Sequence, residues 1–166
     1  MSVLTTFILI GVVHAYSPVP KEFSVSSPTY YISNVNEDSV HIINIHTEPK
    51  IVRVNDNFTI NVTVVNSSPS TIRFLSPVCD ENPLAVRFHD NVVKNFKGVC
   101  HVAAALIPLG PGEKKSIQCP PPALIEFKAI SAGLTHAVAT FYYRTQLEET
   151  HVSSSFVFTI LPAIHT

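Results

Sequence analysis

The chain has 166 residues, of which 14% are charged and 46% hydrophobic, with a formal net charge of -1. A chain of this length makes one domain with a full core, and without a basic stripe for phosphate binding no nucleic-acid partner is expected. Only five glycines are scattered through it, so neither a Gly-rich phosphate cradle nor a dinucleotide fingerprint can be written.

Residues 3–13, VLTTFILIGVV, form an apolar run too short to span a bilayer, followed at once by His14-Ala15 and Tyr16-Ser17-Pro18. This is the layout of a secretory signal peptide over residues 1–15, with Val13 and Ala15 at the small-residue positions of a cleavage site. Met1-Ser2 lacks the usual Lys or Arg, and the competing reading is a buried N-terminal strand or an uncleaved anchor. Cleavage after Ala15 leaves a secreted, extracellular or cell-surface chain with no membrane span. Residues 16–36, with Pro18, Pro20 and Pro28 among Ser and Thr, read as an extended leader. The folded domain is expected over residues 37–162.

Within that domain the apolar pattern has period 2, which places alternate side chains on opposite faces of a strand. The clearest run is Phe58 to Val64, with Phe58, Ile60, Val62 and Val64 on one face and Thr59, Asn61 and Thr63 on the other. Further strands are expected at Val40 to Ile45, Thr71 to Leu75, Leu84 to Phe88, Val99 to Leu106, Leu124 to Ile130, His136 to Arg144 and Val152 to Ile160. Turn residues punctuate them: Asn66-Ser67-Ser68-Pro69, Asp80 to Pro83, Gly110-Pro111-Gly112 and Ala132-Gly133. His89-Asp90-Asn91 reads as a hairpin turn and Glu148-Glu149 as a solvated loop between the last two strands. Val102 to Leu106 fits one helical turn. The sum is all-β, an antiparallel sandwich or barrel. Its expected core is Phe58, Ile60, Val62, Val64, Phe74, Val86, Phe88, Phe141, Phe156 and Phe158.

The order Asp56-Asn57-FTINVTVVN-Ser67, then Pro111-Gly112-Glu113 leading into Lys114 to Ile117, then Ala132-Gly133 leading into HAVATFYYR resembles secreted immunoglobulin-like modules. CARDB-like and BsuPI-like sandwiches and small immunoglobulin-like proteins of archaeal envelopes are of this kind. The resemblance implies a single antiparallel immunoglobulin-like β-sandwich of about seven to eight strands. The chain departs from antibody-type domains in having no Trp, and Leu134, Thr135 and His136 stand where the Tyr of a tyrosine corner is expected. No BsuPI-type inhibitory loop can be matched.

The cysteines are Cys79, Cys100 and Cys119, of which at least two should pair in an oxidising compartment. Loop geometry favours Cys79–Cys100, a staple contributing roughly 3 kcal/mol in the chain-entropy model; the two pairings that use Cys119 stay open. Cys119 precedes three prolines, in a loop expected to be rigid and exposed. Asn57, Asn61 and Asn66 each open an N-x-S/T sequon and are candidate glycosylation sites, Asn61 on an outward strand position and Asn66 in a turn.

The histidines have no metal-ligand spacing; His41 and His46, five apart, fall on opposite faces of a strand. A blue-copper site needs a His beyond the Cys and usually a Met, yet Cys119 is followed by prolines and the only Met is Met1. Cys100 and His101 are adjacent and on a strand point apart, and no G-x-S-x-G elbow occurs. No catalytic residue, metal or cofactor is therefore expected. The function expected is an extracellular or cell-envelope binding or structural module without catalysis, with other envelope or extracellular proteins or glycans as partners. A protease-inhibitor-like domain that presents one loop, or a small secreted copper protein, is the alternative.

Overall fold

The computed structural model describes residues 39–76, 82–96, 105–120 and 125–164. Among them there is no helix, and hence none long and apolar enough to cross a membrane. The strands are β1 (Val40–Glu48), β2 (Val52–Arg53), β3 (Asn57–Asn66), β4 (Ile72–Leu75), β5 (Leu84–Phe88), β6 (Val92–Phe96), β7 (Leu106–Leu109), β8 (Lys114–Cys119), β9 (Ile125–Ala129), β10 (Gly133–Arg144) and β11 (Glu149–Leu161).

They form two sheets with one hydrophobic core, the layering of a β-sandwich. The first runs β1-β3-β9-β6, with β8 also on β3; the second runs β2-β11-β10-β4-β7, with β5 also on β10. Every pairing is antiparallel except β2 with β11, which is parallel. The central strand of each sheet has one edge shared by two shorter strands in tandem. On β3, Ile60 to Val65 pair with β8 while Asn57 and Phe58 pair with β9. On β10, Ala137 to Phe141 pair with β5 while Arg144 pairs with β4.

The period-2 reading of β3 holds, since Phe58, Ile60, Val62 and Val64 are buried. Phe74, Phe141 and Phe156 are buried as expected, whereas Val86, Phe88 and Phe158 are partly buried and packed against the core. An aromatic cluster joins the sheets: Phe58 lies 6.0, 5.8 and 5.7 Å from Phe88, Phe127 and Phe158 by ring centroid, in edge or tilted contact. The fully buried rings of this cluster, Phe58 and Phe127, each contribute on the order of 2–3 kcal/mol.

Three expectations are corrected. His89-Asp90-Asn91 is no hairpin, because β5 pairs with β10 and β6 with β9, so this segment carries the chain from one sheet to the other. Asn91 makes the bend with φ 60°, its amide donating to the Leu134 carbonyl and the Thr135 hydroxyl, both at 3.3 Å. Second, Leu106 opens a strand that runs on to Leu109 instead of ending a strand or a helical turn; residues 97–104 lie outside the described residues. Third, β1 carries a bulge between Ile42 and Asn44, which restores the inward phase at Ile45. Consequently His41, opposite Val65, and His46, opposite Asn61, share one face of the sheet despite their odd spacing.

Candidate functional site

The site is built on the β10–β11 hairpin. Its loop is held by Thr145, whose hydroxyl accepts hydrogen bonds from the amides of Leu147 (3.2 Å) and Glu148 (3.1 Å) and whose amide donates to the Glu148 carbonyl (2.9 Å). A side chain that mimics a turn in this way fixes register, and the two strands pair without a break from Arg144↔Glu149 to Gly133↔Ile160. Glu149 therefore opens β11 instead of lying in the loop. Odd-numbered residues of β10 face the core, so the even ones form an outward ladder with their β11 partners. Arg144 is ion-paired with Glu149, Tyr142 stacks obliquely on His151 at 5.7 Å, and the hydroxyls of Thr140 and Ser153 are 2.9 Å apart.

Two clefts flank this ladder and share Tyr142 and His151. One, of about 450 Å3, is lined by Ala85, Arg87, His89, Val138, Thr140 and Ser153. The other, of about 470 Å3, lies where β4 is paired with β10 only at Arg144 and β5 starts opposite Phe141. At that gap the Tyr142 amide donates to the Pro83 carbonyl at 2.7 Å, and the cleft is walled by Phe74, Leu106 and Tyr143. Burial raises the Tyr143 hydroxyl above its ordinary value of 10.0, opposed by a hydrogen bond with Thr150, so it stays protonated and can donate. Tyr142 is 49% exposed. The arrangement offers an aromatic face, an imidazole, a guanidinium and paired hydroxyls on rigid strands, which suits recognition of a surface ligand.

The residues singled out from the sequence lie elsewhere. Asn57 is exposed and Asn61 half-buried, both outward on β3 in the other sheet. Asn66 is no open-turn residue. It ends β3 fully buried, and its Nδ2, the atom a glycan would occupy, donates to the carbonyls of Ser70 and Leu109, both at 2.9 Å.

Cys119 was expected in an exposed loop, but it ends β8 opposite Ile60 and is a buried free thiol. Burial pushes its pKa up to about 12, against the pull of the Lys94 ammonium and a hydrogen bond with the Val86 backbone. Cys79 and Cys100 lie outside the described residues. Among those described, no three or more His, Cys, Asp or Glu side chains converge as a metal site would need.

Tyr142 and His151 escaped sequence reasoning because their contact depends on hairpin register. The signal that could have found them is a four-residue turn from Thr145 to Glu148, which sets Tyr142 opposite His151 by counting.

No family model and no curated protein matches the chain. Among solved structures it is similar to a FixG-related protein from Vibrio parahaemolyticus, at 14% identity and a TM-score of 0.40, over 74% of this chain and 97% of that one.

Proposed function

We propose that the chain is an extracellular or cell-envelope immunoglobulin-like module, of the kind represented by CARDB-like and BsuPI-like sandwiches, that binds an envelope or extracellular protein or glycan without catalysis. The observation that carries the binding role is the Tyr142–His151 pair, shared by two clefts on an outward strand face. The strand order supports the immunoglobulin-like part. With β1, β3, β9 and β6 taken as A, B, E and D, and β5, β10 and β11 as C, F and G, these seven strands are compatible with the order of that fold, while β2, β4, β7 and β8 are additional to it. The signal peptide over residues 1–15 and a Cys79–Cys100 bridge belong to the same reading. Ser76 and Ala105, which flank the two cysteine-bearing segments, support the bridge by hydrogen bonding to each other: the Ser76 amide donates to the Ala105 carbonyl at 2.7 Å and the Ala105 amide to the Ser76 hydroxyl at 2.9 Å.

The binding role is tested by capture of purified protein on native envelope preparations and on arrayed glycans, comparing wild type with Tyr142→Ala. Loss of at least tenfold in retention with an unchanged far-ultraviolet spectrum is expected. Equal retention would place the contact surface elsewhere.

A further inference from the structure

The two sheets have six free or partly free edge strands besides β11, and each carries a device that discourages another strand from adding. β1 has its bulge after Ile42, β2 is two residues long, β5 carries Arg87, β6 carries Lys94, β7 carries Pro108, and β8 carries Lys114 and Lys115. β11 has none. It is 13 residues long, and among the described residues its outer edge is paired only at Ile160 and Leu161, by β2. From Thr150 to Thr159 it contains no Lys, Arg, Asp, Glu or Pro, and its register with β10 is free of bulges.

Which backbone groups line this edge follows from hydrogen bonds on the far side of β10. The His136 carbonyl accepts from His89 and the Tyr142 amide donates to Pro83, so even-numbered residues of β10 turn their polar groups away from β11. In an antiparallel pair, opposite residues share that sense. Their β11 partners are odd-numbered, so Glu149, His151, Ser153, Ser155, Val157 and Thr159 turn N–H and C=O outward. The next in the series, Leu161, accepts there from the Val54 amide at 2.9 Å.

We propose that this edge pairs antiparallel with the same edge of a second copy, about a two-fold axis at Ser154, to join the second sheets of two molecules into one. Six outward residues placed symmetrically about Ser154 make the register self-complementary, with Ser153 opposite Ser155, His151 opposite Val157 and Glu149 opposite Thr159. All of them are used, for about twelve backbone hydrogen bonds. On the inner face Val152 meets Phe156 and Thr150 meets Phe158. No like charges oppose one another, and three consecutive serines let the backbones close at the axis.

Sedimentation of the purified chain tests this. A dimer is expected for wild type, with slow amide exchange at His151, Ser153, Ser155 and Val157. Ser155→Pro removes an outward donor without touching the β10 ladder, and Ser153→Lys/Ser155→Lys sets ammonium groups opposite each other across the axis. Both should weaken association at least tenfold and speed exchange at those of these amides that remain, while Tyr142→Ala leaves the mass unchanged. If the proline variant fails to fold, the lysine pair decides. A wild type that stays monomeric at high micromolar concentration overturns the proposal, and slow exchange in that monomer would mean that residues before Ser39 cover the edge. A dimer indifferent to both variants overturns it as well.

Discussion

The side-chain amide of Asn66 in one sheet donates to the backbone carbonyl of Leu109 in the other, 43 residues along the chain, at 2.9 Å. The same amide reaches Ser70, and its carbonyl oxygen accepts from the amide and the hydroxyl of Ser68 at 3.1 and 2.6 Å. A side chain with no exposed surface that satisfies four polar neighbours is costly to remove, because each is left unpaired or must find water. Asn66→Ala should destabilise the fold by about 3 kcal/mol, read as a lower midpoint in urea with an unchanged slope.

In a host that glycosylates, Asn57 and Asn61 are the acceptors compatible with this fold, and Asn66 stays bare. Peptide mapping after enzymatic deglycosylation should find Asp at 57 and 61 and Asn at 66. A glycan at position 66 in folded protein would mean that the end of β3 opens.

Cys119 should resist alkylation near neutral pH until the protein unfolds, since the attacking species is the thiolate. The folded thiol keeps its proton up to about pH 12, whereas an unfolded one titrates at the ordinary value of 9.0. Between those values the unfolded state binds fewer protons, so Cys119 makes stability fall as pH rises; below pH 9.0 it contributes no pH dependence. Urea midpoints at pH 8 and pH 10 should therefore separate more for wild type than for Cys119→Ala. Parallel declines would contradict this account of the burial.

Asn91 combines a positive φ with side-chain bonds to two residues of β10. Asn91→Gly relieves the backbone but loses the bonds, and Asn91→Ala loses both. Alanine should cost about 1 kcal/mol more than glycine, measured by thermal unfolding of the pair.

By contrast, the Arg144–Glu149 ion pair has both side chains half exposed or more, at 50% and 70%. Glu149→Gln should change stability by no more than about 0.5 kcal/mol, because water and salt already screen the charges.

What could be read from the sequence follows burial. β3 was legible because one face is fully buried and the other is Asn and Thr. β6 shows no such contrast, since Val93, Lys94 and Asn95 are all exposed, and β8, with only Ile117 and Cys119 buried, was legible as a short strand through the Pro111-Gly112-Glu113 before it and not through burial. A two-residue strand such as β2 is too short to carry a period. Turn chemistry at His89 to Asn91 announced a change of direction, but local dihedral preferences do not say whether a chain returns to its own sheet or crosses to the next. The bulge after Ile42 shifted parity within one strand, which no strict alternation can represent. The Tyr142–His151 pair was hidden for a related reason: residues nine apart meet only once the hairpin register is fixed.

Two strands abreast on one edge of β3, and two on one edge of β10, separate the chain's length from its pairing. β4 and β5 are each anchored to β10, and β8 and β9 to β3, by their own hydrogen bonds. Each of the four strands thus keeps its register through its own pairing and not through the chain that joins it to the next. Related chains should vary in length at the joins from β4 to β5 and from β8 to β9 first, and foreign peptides inserted there should be carried without loss of the fold.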